Sequence, residues 1–178
     1  MARAEKYLGA ESPPVAGAKR GEEALAAGNR AVALLEKAED DTSLADTLTA
    51  RGEAWLALSK PATAREDCDR ALTLGKRVLE KDALELGEYT LCLGRAQLAL
   101  GQAAEAVATL ERSLQIREQS AWPPAQGLAR FELAKAVAAT GKDGAGAKEL
   151  GQRALVELEA GPGFAPQRAE VARWLEGR

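Results

Sequence analysis

The chain has 178 residues, room for one ordinary domain or for an array of small repeats. Hydrophobic residues make up 46% but aromatics only 4%, so a core must be built mainly from Ala, Leu and Val. The net charge of −3 comes from 24 basic and 27 acidic residues that are interspersed, which leaves no basic block for nucleic acid, and the absence of histidine excludes Ser-His-Asp and Cys-His nucleophile systems and His metal sites.

No apolar run approaches the ~18 residues of a membrane span. Met1 to Tyr7 lacks the apolar stretch of a signal peptide, so a cytoplasmic location is expected. Asn29 is the only asparagine and Ile116 the only isoleucine, beside abundant Ala, Gly and Arg, a bias that suggests a GC-rich bacterial coding sequence.

Gly and Pro cluster at 11–14, 121–124 and 161–163, with shorter breaks at Gly28-Asn29, Ser59-Lys60-Pro61, Gly101 and Gly141 to Gly144. Every segment between them reads as helix, and none alternates like a half-buried strand. The expected helices are 1–9, 14–27, 30–39, 43–58, 61–81, 84–100, 103–119, 124–140, 145–159 and 166–177. Ser43 with Asp46 reads as a capping box. Pro61 and Pro124 suit first helical turns, and Gly101 suits a left-handed C-terminal cap. Pairing the helices gives four hairpins, at 14–39, 43–81, 84–119 and 124–159. Residues 1–13 read as the remnant of a preceding repeat with its linker. Residues 161–178 read as a linker and a capping helix, with Val171 and Leu175 on its apolar side and Trp174 over the last hairpin. The chain therefore begins inside a repeat, as a shortened product or the C-terminal part of a longer protein would.

Two hairpins repeat each other closely. Gly52 and Gly94 lie 42 residues apart; Ala64 and Ala106, then Cys68 and Leu110, then Ala71 and Ser113 follow at matching distances. Such a period marks an array of helix pairs in which no single unit buries its own apolar face. Small residues at these positions allow close helix approach.

This pattern resembles the tetratricopeptide repeat family, whose signature sets Leu-Gly and an aromatic on the first helix and Ala-x3-aromatic-x2-Ala on the second. Leu93-Gly94, Gly52 with Trp55, and Ala64, Ala71 and Ala106 carry the likeness. Leu133-Ala134, Gly141, Ala147 and Ala154 extend it, as do Gly21, Gly28, Ala31, Leu35 and Ala38 more loosely. The spacing of 42 and then about 41, against the usual 34, resembles the longer variant of kinesin light chains and bacterial signalling proteins. The resemblance implies an all-α, right-handed solenoid of antiparallel helix pairs over 14–160 with a C-terminal capping helix. It implies a protein or peptide partner held in a concave groove, in an adaptor or regulatory role. The alternative is a C-terminal regulatory or docking region of a bacterial serine/threonine kinase or transcriptional regulator.

Mapped from the glycines, the groove positions are Asp46, Thr49 and Glu53, then Glu88, Leu91 and Arg95, then Leu128, Phe131 and Lys135. The groove would run from acidic to basic, with Leu91 and Phe131 as apolar anchors. The family's carboxylate clamp uses Lys and Asn at groove positions; Asn29 falls in an expected turn, so the clamp is absent. An end left open at the first repeat favours self-association there.

Other constellations carry little chemistry. A hydrolase using Glu53 with Glu88 would need a desolvated pocket, which an open helical groove does not offer. Cys68 and Cys92 fall on different helices with no CxxC and read as inert thiols. Gly141, Gly144 and Gly146 lack the preceding strand and the Lys-Ser/Thr ending of a phosphate loop. Trp55 reads as core, and Trp122 as packing over a hairpin junction. No cofactor, metal or catalytic residue is expected.

Overall fold

The computed structural model describes residues 14–177, and side chains from residue 21 onward. The expected helix at 1–9 and the remnant at 1–13 lie outside the described residues. Among the described residues eight helices follow one another: α1 (Pro14–Ala38), α2 (Asp41–Ala57), α3 (Pro61–Val78), α4 (Leu84–Ala99), α5 (Ala103–Arg117), α6 (Pro123–Ala139), α7 (Gly144–Glu159) and α8 (Ala165–Glu176). No strand occurs among the described residues.

The pairs α2–α3, α4–α5 and α6–α7 are antiparallel hairpins stacked side by side. The expected hairpin at 14–39 is instead one helix, so the described residues hold three hairpins rather than four. Gly28 and Asn29 do not end α1 because neighbouring groups need them inside it. Gly28 lies against the Arg51 side chain, and Asn29 Oδ1 accepts a hydrogen bond from Arg51 Nη1 at 3.0 Å. Asn29 is therefore on a helix rather than in a turn. α1 packs on α2 as α3 packs on α4 and α5 on α6, so it stands where the second helix of a preceding pair would stand.

Close approach sets the pairing. A Cβ on Gly94 would meet Leu110 Cγ at 2.5 Å. One on Gly52 would meet the sulfurs of Cys68 and Cys92 at 2.7 and 3.0 Å. Those two cysteines are not separate thiols: they form a disulfide joining α3 to α4, with a Cα–Cα distance of 5.6 Å. Nothing in a 24-residue spacing without a CxxC signals that the two helices pack together.

The apolar residues gather in three successive clusters, as a one-dimensional stack requires. Leu48, Tyr89 and Ile116 anchor the first, Leu110 and Leu133 the second, and Phe131, Leu158 and Val171 the third. At the C-terminal end α8 lays Val171 and Trp174 against α6 and α7, with Trp174 edge-on to Phe131 at 5.7 Å. Trp122 stands edge-on to Phe164 at 5.6 Å, across the junction before α8.

Helix ends follow local chemistry. α2 is capped by Asp40, whose Oδ1 accepts from Ser43 N at 3.0 Å, rather than by Ser43. That bond holds the Asp40 carboxyl below its ordinary range. Asp41 opens the first turn of α2 and pairs with Arg77 at 2.7 Å. The turn inside each hairpin uses a left-handed residue at an equivalent place: Ser59 (φ 56°), Gly101 (φ 77°) and Gly141 (φ 70°). Only Ser59 carries a Cβ there.

Two outcomes follow. Gly94→Leu overpacks the α4–α5 contact and lowers the melting temperature, by the equivalent of about 1–3 kcal/mol. An unchanged thermal melt by circular dichroism would contradict this register. Ser59→Gly removes left-handed strain and raises stability by about 0.5–1 kcal/mol, read from a urea titration.

Candidate functional site

The first helices α2, α4 and α6 touch one another directly, whereas α3, α5 and α7 pack chiefly on first helices. A stack whose first helices are closer together than its second helices curves toward the first. The inner face of that curve is therefore built by α2, α4 and α6, and α8 extends it through Lys135–Glu170 and Phe131–Trp174 contacts.

The repeat spacing puts Glu53, Arg95 and Lys135 at one level of this face, and Asp46, Glu88 and Leu128 at another. The first level is wired together. Arg95 donates through Nη1 to Glu53, and its Nε lies 3.4 Å from Glu132. Lys135 donates to the same Glu132 at 2.9 Å and reaches Glu170 of α8 at 3.4 Å. A ladder of alternating charge thus crosses α2, α4, α6 and α8. Lys135 Nζ also stands 4.6 Å from the centroid of the Phe131 ring.

Burial pushes the Glu53 carboxyl up; Arg95 pulls it back only in part, while Glu132 and Glu88 push it further. Burial works to lower Arg95, but Glu53, Glu132 and Glu170 outweigh it and hold the guanidinium above its ordinary value. One turn away, Tyr89 donates its hydroxyl to Asp46 at 2.7 Å. Burial pushes that phenol well up, and the bond to Asp46 and the nearby Glu85 and Glu88 carboxylates push it further.

The expected groove residues divide. Asp46, Glu53, Glu88, Arg95, Leu128 and Lys135 are partly exposed. Thr49, Leu91 and Phe131 are buried, at 3%, 8% and 4% exposure. Thr49 donates to Ala45 O of its own helix, Leu91 packs in the second cluster, and Phe131 lies under Trp174. Leu91 and Phe131 are thus packing residues rather than apolar anchors open to a guest. The expected acidic-to-basic gradient also fails, since Glu132 and Glu170 bracket Lys135. Glu132 and Glu170 belong to the face, and the buried Tyr89 reaches it through its bond to Asp46, but none of the three was among the expected positions. Tyr89 adjoins Glu88 in sequence, and Glu132 lies one residue past Phe131, so only the helix rotation could have brought them in. Trp55 is half-buried, with Lys60 Nζ 5.1 Å from its ring centroid.

A family model described as tetratricopeptide repeat matches residues 43–119, which span α2 to α5. Over that segment the chain is similar to the tetratricopeptide repeat family. Beyond that segment, the tetratricopeptide-like fold is carried by solved structures. Crystal structures of nearly identical TPR-like repeats assigned to a kinesin light chain of Podosopora anserina, one of them a single-substitution variant, superpose with a TM-score of 0.67. They share 22% identity and cover 89% of this chain and 85% of theirs. The long, kinesin-light-chain-like spacing read from the sequence agrees with these neighbours. No curated protein sequence matches the chain. Tetratricopeptide repeats in general mediate protein–protein interaction, and such arrays are typically scaffolds rather than enzymes.

On the outer side, the splay of α3 from α5 opens a cleft of about 690 Å³ over Leu86, Thr90 and Leu93, rimmed by Lys76, Lys81 and Arg112. Arg112 is tied to Asp82 at 2.6 Å. Among the described residues no group of three or more His, Cys, Asp or Glu is placed to hold a metal ion, and no helix is long and apolar enough to cross a membrane.

Replacing Arg95 by Met removes the cation shared by Glu53 and Glu132. The expected loss is at most about 1 kcal/mol at low salt, because the guanidinium is 39% exposed and solvent screens it. The loss is full at neutral pH, where the carboxylates repel. It closes as pH falls toward and through the glutamate range, beginning with Glu53, whose carboxyl is already pushed up. Melts of both proteins across that pH range check it.

Proposed function

We propose that the chain is a protein- or peptide-binding module whose partner lies along the inner face of α2, α4 and α6, in an adaptor or regulatory role. The observation that supports this reading is the ladder Glu53–Arg95–Glu132–Lys135–Glu170. It holds four helices in one fixed surface, so an extended guest meets a pre-organised row rather than separate mobile side chains. Fixed charged rows of this kind give specificity and orientation more than raw affinity.

The test is selection of a displayed random-peptide library on the intact chain, followed by binding to two variants. Glu88→Trp plugs the inner face; Glu66→Lys changes the exposed outer helix α3. Selected peptides should lose at least about tenfold in affinity for Glu88→Trp and keep full affinity for Glu66→Lys. The reverse pattern would move the site to the outer face.

A further inference from the structure

The inner face is not uniformly neutralised. Two cations of this face are each shared by two carboxylates: Arg95 by Glu53 and Glu132, Lys135 by Glu132 and Glu170. At the α2–α4 end the level of Asp46 and Glu88 has no such cation among the described residues. Among the described residues Asp46 receives only the Tyr89 hydroxyl, and Glu88 forms no hydrogen bond or ion pair. The Tyr89 hydroxyl ties α4 to Asp46 at 2.7 Å directly beside Glu88, and Glu53 lies two turns along α2 from Asp46, so the three acids share one stretch of the face.

Resting on the groove reading above, we propose that the α2–α4 end of the inner face docks a basic segment of a partner protein, with an Arg or Lys side chain seated between Asp46 and Glu88 as Arg95 is seated between Glu53 and Glu132. The occupant follows from charge complementarity and from the molecule's own pattern. A cation at this level completes on α2 and α4 the alternation that α4, α6 and α8 already contain. Arginine suits the place better than lysine, because its fork bonds two carboxylates at once, as Arg95 does here. An acidic segment meets repulsion at the same level, which gives the face a direction: the basic part of the guest lies toward α2.

Two synthetic peptides of equal length test this, one with Arg and one with Glu at every third or fourth position among Ala and Leu. Each carries a central photo-reactive group and is titrated against the full chain at low and at physiological salt. The Arg peptide is expected to bind and to cross-link to α2 and α4, with affinity falling as salt rises. Asp46→Asn with Glu88→Gln should weaken it about tenfold and flatten the salt dependence. Asparagine keeps an acceptor for Tyr89, so helicity by circular dichroism should be unchanged. Preferential binding of the Glu peptide with cross-links on α2 and α4 would overturn the cation inference and leave the groove reading standing. Cross-links on α3 or α5 would overturn both. Binding of neither peptide, or an affinity unchanged by the double substitution, would overturn the inference alone.

Discussion

The close contacts between helices in this molecule are made where one side chain shrinks to a hydrogen or a methyl group, and the rest of the structure is arranged around those contacts. Gly52 faces the Cys68–Cys92 pair and Gly94 faces Leu110. Ala64, Ala71, Ala106, Ala134 and Ala154 are fully buried. An aromatic-poor sequence can still fill its interior this way, because thin helices leave little volume to fill. Burial is then spread over three modest clusters instead of one large core. Each hairpin depends on its neighbours for part of its apolar cover.

That same closeness makes the inner face a surface with fixed chemistry. First helices near enough to touch bring residues some 40 positions apart within ion-pair reach, as with Arg95 and Glu53 or Lys135 and Glu170. The outer side has no such order: α3 and α5 stand apart, and the cleft between them is floored by the buried α4 side chains Leu86, Thr90 and Leu93. Charge is therefore organised on one side of the curve and scattered on the other. Buried cations elsewhere serve the hairpins themselves. Arg51 binds Asp67 with two nitrogens, and Arg130 bridges Glu157 and Glu118.

Much of the fold was legible because steric need leaves a periodic trace. The glycine and alanine spacing located α2 to α7, their turns and the terminal helix. The reading failed where a local signal had a non-local cause. Gly28-Asn29 looks like a turn, yet Arg51 of another helix holds both residues inside α1. Ser43 looks like a cap, but Asp40, three residues earlier, takes the bond. Cys68 and Cys92 carry no spacing signal, since the packing of α3 on α4 brings them together. For the inner face, the register of Glu53, Arg95 and Lys135 was readable, whereas Glu132 and Glu170 entered through helix rotation and stacking. Thr49, Leu91 and Phe131 held the right register but point into packing, because first helices this close leave no gap between them.

The Cys68–Cys92 bond has a consequence for the order in which such a stack comes apart. A linear array without cross-links frays from either margin, one helix pair after another. Here a covalent link spans the boundary between the α2–α3 and α4–α5 pairs, so α3 and α4 cannot part from one another while it lasts. Pulled from its ends, the polymer would lengthen first through α1 and through α6 to α8. The middle would yield last, and its 24-residue loop would stay closed for as long as the sulfurs remain joined.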